Sequence, residues 1–192
     1  MRIHHLAVGL ATLSLLPAVA HAHPGHVEGA SLMMGLAHPV GGADHVLAML
    51  AVGLWAAVTG GRGIWAMPAA FLAAMLGGGA MGAAGLELPV AEPMILASSI
   101  LIGAAAALAL RPALPLALAA IAMFGAAHGV AHGAEGPVQG LVSYAAGFLV
   151  STAALHGVGL VAGLALARLT GAGAARGLGG GTALVGLILA LG

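Results

Sequence analysis

The stretch "SLMMGLAHPVGGADHVLAML", residues 31–50, decides how this chain is read. It has the apolar character of a membrane crossing, yet it carries two histidines, His38 and His45, and an aspartate, Asp44. It also carries Pro39, Gly41 and Gly42. Proline removes an amide donor and its ring clashes with the preceding turn, so a continuous helix is doubtful here. An Asp near the middle of a bilayer costs about 2.5–3.5 kcal/mol on insertion scales, and such residues normally mark ion pathways or proton relays. Asp44 stands about 13 residues into the segment, roughly 20 Å along it at helical rise. If the helix persisted, His38 and His45 would share one stripe, with Asp44 about 100° to the side. Broken backbone at membrane depth is tolerated only where it is buried in protein or lines a cavity. The segment therefore reads as a cation site that combines side-chain ligands with freed carbonyls. The simpler alternative is a proline-kinked helix with a His–Asp packing pair.

Composition agrees with a lipid environment. Of 192 residues, 61% are hydrophobic and 5% charged, with 33 glycines. A soluble domain needs roughly 25% charged residues to wet its surface. The expected fold class is an all-α integral membrane protein. The absence of cysteine removes disulfides, thiolate metal sites and cysteine nucleophiles together. A formal net charge of +0 gives no reason to expect a nucleic-acid partner.

Residues 1–22 have the pattern of a cleaved secretory signal: Arg2 near the start, an apolar core from Leu6 to Leu16, Pro17, then Ala20-His21-Ala22. The alternative is an uncleaved first membrane helix, for which the apolar core is short. Cleavage after Ala22 leaves residues 23–192 as one transporter-sized membrane domain beginning at His23, with His26 close by. Those two histidines in a tail are candidates for metal capture at the surface.

Six apolar segments follow, roughly 31–58, 64–84, 93–110, 113–132, 138–167 and 177–191. Each approaches the ~20 residues that cross a bilayer, except the short last one. Arg62, Arg111, Arg168 and Arg176 fall in alternate gaps, and Glu28, Glu87, Glu92 and Glu135 in the others. Positive charge marks cytoplasmic loops. Six transmembrane helices with both termini periplasmic is the expected topology, in agreement with a cleaved signal. The abundant Gly and Ala suit close helix packing in lipid, where no hydrophobic drive holds helices together.

A second polar group is "HGVAHGAE": His128, His132 and Glu135. Spacings of i, i+4 and i+7 place all three on one helix face. Imidazole with carboxylate suits Ni, Co, Zn or Cu(II), whereas a soft Cu(I) site would want thiolate. With the first segment running inward and the fourth outward, the two groups reach the same depth. His156 in the fifth segment is either a hydrogen-bonding partner between helices or part of the same pathway. Glu92, just before Pro93, is on physical grounds a solvated boundary acid.

These residues carry a resemblance. His-Pro-x-x-Gly-x-Asp-His-x-x-x-Met (His38 to Met49) resembles the signature of the HupE/UreJ family of nickel and cobalt permeases. "FGAAHGVAHGAE" (Phe124–Glu135) resembles its second signature block, and "GFLVSTAALHGVGL" (Gly147–Leu160) its fifth helix. The resemblance spans essentially the whole chain. It implies His38, Asp44, His45, His132 and Glu135 as metal-pathway residues, with His128 beside them and Met49 closing the first motif. By position relative to these motifs, Phe71 and Glu92 also resemble family residues linked to transport. It implies secondary uptake of Ni²⁺ or Co²⁺ as substrate, without a resident cofactor, through a bacterial inner membrane. It also implies a link to maturation of a nickel enzyme, hydrogenase or urease.

Two other classes stay open on residues alone. One is a metal sensor or structural membrane subunit. The other is an intramembrane hydrolase, against which Gly129 stands where a zinc protease needs its general-base Glu. A Ser–His pair of Ser98, Ser99 or Ser151 with His156 lacks a nucleophile elbow. There is no P-loop, so direct use of ATP would need a partner.

Overall fold

The structure is a computed structural model that describes residues 27–192; the expected signal segment, His23 and His26 lie outside the described residues. The described residues form helices and contain no strand. α1 (Val27–Ala37) leads through a short 3-10 turn (His38–Val40) into α2 (Ala43–Thr59). Then follow α3 (Gly63–Ala83), α4 (Ala91–Ala107), α5 (Leu114–Ala134), α6 (Leu141–Leu169) and α7 (Ala172–Leu191).

Among the described residues, four helices, α3, α5, α6 and α7, are long and apolar enough to cross a membrane. α1 with its 3-10 turn and α2 together make a fifth candidate, bent by 79° at the break. α4 is shorter, at 17 residues, or about 26 Å at helical rise. α6, at 29 residues, extends about 43 Å, well beyond the ~30 Å hydrocarbon core. The outer surface is apolar, with Leu101, Leu116, Met123, Val150 and Ile188 exposed. In water that would be costly; against lipid it is not. The expected sixth segment begins earlier than the residues suggested, because Gly and Ala after Gly171 continue the helix. Arg176 thus lies inside α7 rather than in the gap before it, and its Nε donates to the Ala107 carbonyl at 2.7 Å. Arg111 does the same for Val58 at 3.0 Å, and Trp55 Nε1 for Leu110 at 2.9 Å. The Ala107 and Val58 carbonyls, orphaned at the C-terminal ends of α4 and α2, are thereby satisfied.

Three packed pairs dominate: α3 on α5, α4 on α7, and the broken α1–α2 pair along α6. The α3–α5 seam is built from glycine. Gly125, Gly129 and Gly133 lie one turn apart, and a Cβ on any of them would overlap a backbone oxygen of α3. Opposite them, Gly78 and Gly82 approach the α5 backbone equally closely. His128 and His132 each precede a seam glycine, so they project about 100° from the seam, toward α2 and α6.

Candidate metal centre

The site lies where α2 begins, α5 ends and α6 begins. Pro39 and Gly41 close a tight turn in which the Gly41 amide donates to the His38 carbonyl at 3.0 Å. Gly42 is extended and caps α2, its carbonyl accepting from the Val46 amide at 3.1 Å. A Cβ at Gly42 would stand 2.7 Å from Asp44 Oδ1 and 2.8 Å from His45 Nδ1. Glycine is needed there so that this carboxylate–imidazole pair can lie over the backbone. Asp44, in the first turn of α2, also faces the positive end of the helix dipole. The atoms gathered are side-chain atoms; the His38 and Gly42 carbonyls already accept amide hydrogen bonds.

The break re-aims both histidines of the first motif at one partner. His38 Nε2 is 3.1 Å from His132 Nδ1, and His45 Nε2 is 2.7 Å from His132 Nε2. His45 Nδ1 is 2.8 Å from Asp44 Oδ1, and Tyr144 Oη is 3.0 Å from His38 Nδ1. With ionised carboxylates and neutral rings, one proton assignment satisfies these contacts. Asp44 accepts only, so His45 carries its proton on Nδ1 and accepts at Nε2. His132 then donates from Nε2 and accepts at Nδ1 from His38 Nε2, and His38 accepts at Nδ1 from Tyr144. All four hydrogen bonds run in one direction, from Tyr144 to Asp44.

Glu135 does not fit that chain, which is informative. Its Oε2 is 3.3 Å from His132 Nδ1 and 3.7 Å from His38 Nε2. Under the assignment above, the first of these contacts sets two acceptors against each other. A cation removes the conflict. His38 Nε2, His132 Nδ1 and Glu135 Oε2 form a triangle with all sides within 4.8 Å. The point equidistant from its corners lies about 2.0 Å from each, the length of a zinc–imidazole or zinc–carboxylate bond. For an ion to sit there His38 must carry its proton on Nδ1 instead, and the Tyr144 oxygen can accept it. Two imidazoles and a carboxylate match borderline divalent ions. Asp44 and His45 then act behind His132, orienting the ring and fixing its tautomer.

Exposure is graded through the cluster. The side chain of Glu135 is 56% exposed, that of His38 32% and that of His132 7%. Glu135 is thus the most accessible member of the triangle and His132 the least. A cleft of about 360 Å³ between α3, α5 and α6 also reaches His132 and Tyr144. Its other walls are apolar, among them Met75, Phe148 and Leu149, so it offers a hydrated ion little.

Six of the expected residues meet here in three different ways. His38, His132 and Glu135 form the triangle, and Asp44 and His45 support it. His128 is separate: its ring is 5.4 Å from that of His45, and its Nδ1 donates to the Phe124 carbonyl at 2.9 Å. Phe71 packs on His128 at 5.2 Å and on His156 at 5.0 Å, ring centre to ring centre. His156 Nδ1 donates to the Met49 carbonyl at 2.8 Å, so the expected inter-helix hydrogen bond exists, and Met49 is fully buried. Glu92 is exposed in the first turn of α4 and takes part in none of the cluster's hydrogen bonds or ion pairs. Ser98 and Ser99 donate to carbonyls of their own helix, Ile95 and Leu96, and no serine meets His156 among the described residues. Tyr144 was not picked out from sequence. The available signal was its being the chain's single tyrosine, set in an apolar segment.

Fold and site together define a polytopic helical membrane protein with an imidazole–carboxylate cluster inside its bundle. The chain belongs to the HupE / UreJ family, whose sequence profile matches residues 10–189. It is 40% identical over 202 aligned positions to Protein HupE of Rhizobium leguminosarum bv. viciae, covering 100% of both chains. No solved structure matches it.

Proposed function

We propose that this protein is a permease that carries Ni²⁺, with Co²⁺ as the second ion its ligands accept, into the cytoplasm of a bacterial cell. The observation that supports this most is the triangle of His38, His132 and Glu135, three ligand atoms from two helical motifs far apart in sequence. Six membrane crossings are proposed, counting the broken α1–α2 pair and α4 as one each, with the cluster in the outer half of the inner membrane. Residues 1–22 act as the cleaved signal, and both mature termini face the periplasm. The ion delivered would supply maturation of a nickel enzyme such as a hydrogenase or urease.

Energetically, uptake needs no nucleotide. A divalent ion moving inward gains about 4.6 kcal/mol per 100 mV of inside-negative potential, twice the single-charge value. That is more than three decades of accumulation. Discrimination must come from geometry, because affinity alone in such a site follows the Irving–Williams order.

Metal flux into proteoliposomes is the direct test, with Ni²⁺, Co²⁺, Zn²⁺ and Mn²⁺ compared. Ni²⁺ accumulation that rises with an imposed inside-negative potential is expected. No flux of any of the four ions would defeat the permease reading. Topology is tested separately: reporter fusions after Arg62 and Arg111 should read cytoplasmic and one after Glu87 periplasmic. A cytoplasmic reading at Glu87 would reverse the orientation.

A further inference from the structure

We infer that His128 and His156 supply the ligands of a second, inner ion-binding station below the triangle, with the Phe71 ring, which packs on both, as its gate. This rests on the transport reading and assigns the step that follows capture. Both histidines are buried to the same unusual half-satisfied state. His128 is 0% and His156 1% exposed. Each Nδ1 donates to a main-chain carbonyl, at 2.9 Å to Phe124 and 2.8 Å to Met49. That bond fixes the proton on Nδ1 and leaves Nε2 with its lone pair. Each Nε2 is buried and has no hydrogen-bond partner among the described residues. An imidazole tied at one nitrogen to a carbonyl and bare at the other is the arrangement of a metal-ligating histidine. A histidine kept only for packing has no reason to leave that atom unpaired.

The surroundings fit the same purpose. The His45 ring, in contact with His132, is 5.4 Å from that of His128, so the outer cluster leads directly to the first inner ligand. Phe71 packs edge-on against both inner imidazoles. One turn before His156 on the same face of α6, the fully buried Thr152 hydroxyl also has no partner among the described residues. None of these groups is a carboxylate. A divalent ion there is bound by neutral ligands only, hence more weakly than at Glu135, and can leave. Neutral imidazole also favours ions such as Ni²⁺ and Co²⁺ over Mg²⁺ and Mn²⁺, which prefer oxygen. The inner station therefore discriminates after the outer triangle has captured.

The test uses the full chain in lipid nanodiscs, titrated with Co²⁺ and followed by its visible absorption and by metal analysis. Two cobalt ions per chain are expected at saturation, the second weaker. His128→Gln together with His156→Gln should retain the tighter ion, lose the second, and lower Co²⁺ uptake by about tenfold or more. Retention of the tighter ion shows that the variant is folded. Phe71→Ala should keep both ions and speed binding of the second. A single ion per chain in the unmodified protein would overturn the inference whatever the variants do. So would unmodified uptake in the double His variant. Failure of the transport reading itself looks different: no flux from the unmodified protein, irrespective of how many ions it binds.

Discussion

Replacing His132 by Ala should abolish metal uptake, and Asp44→Asn should reduce it about 10–100-fold, with both proteins still inserted in the membrane. Among the described residues, His132 is the one side chain that touches both halves of the first motif, His38 at 3.1 Å and His45 at 2.7 Å. Without it the triangle loses a corner and the hydrogen-bond chain loses its middle. Asp44 acts at one remove. Its carboxylate accepts only, which forces His45 to carry its proton on Nδ1 and so presents a lone pair to His132. Asn removes the anion and, by turning its amide, can donate to His45 Nδ1 and impose the wrong tautomer. Insertion should not suffer, because a costly charge has been removed from the membrane. Uptake assays on membranes with matched protein content measure both variants. Unmodified uptake in Asp44→Asn and in His45→Ala would remove this motif from the pathway.

Gly129→Val should deplete the protein from the membrane, for a reason unconnected with metal. A Cβ at Gly129 would overlap the Met75 carbonyl oxygen and stand 2.7 Å from the Gly79 amide nitrogen. Both atoms are backbone, so no rotamer change relieves the clash and α3 must move away from α5. Ordinary overpacking costs about 1–3 kcal/mol, and a collision with rigid backbone exceeds that. Because Gly129 lies between His128 and His132, any surviving protein should also bind metal poorly. Gly77→Ala is the matched control: nothing stands within 4 Å of its Cβ position. It should be neutral or slightly stabilising, since Ala is the better helix former by about 1 kcal/mol. Immunoblots of membrane fractions and thermal melts of the two variants decide it. Equal abundance of Gly129→Val and the unmodified protein would mean that the seam is not as tight as described.

Much of the site was legible in the sequence because it is expensive. His38, Asp44, His45, His132 and Glu135 are polar residues in apolar segments, and their cost marks them without any knowledge of the fold. The i, i+4, i+7 spacing of His128, His132 and Glu135 also held as a single helical run, with Glu135 capping α5 in helical conformation. What that spacing did not reveal is that His128 leaves the triangle. The His128 ring is tied to the Phe124 carbonyl of its own helix at 2.9 Å and packs on Phe71 and His45, so a shared helix face is not by itself a shared ligand set. Tyr144 was missed because a tyrosine in an apolar segment is unremarkable on cost: its ring is at home there, and only its hydroxyl needs a partner.

Composition alone determined that this chain folds as apolar helices, since 5% charged residues cannot make a wetted surface and unpaired backbone cannot face lipid. Local sequence alone determined that the first segment breaks, because Pro39 and the two glycines after it deny a continuous hydrogen-bond ladder. Neither determined where the broken ends point. The 79° bend, the docking of α1 and α2 along α6, and the glycine seam that holds α5 against α3 are long-range choices. Helix periodicity says which residues share a face; only packing says which faces meet. The meeting of His38 and His45 on His132, 94 and 87 residues away, was therefore decided by tertiary structure.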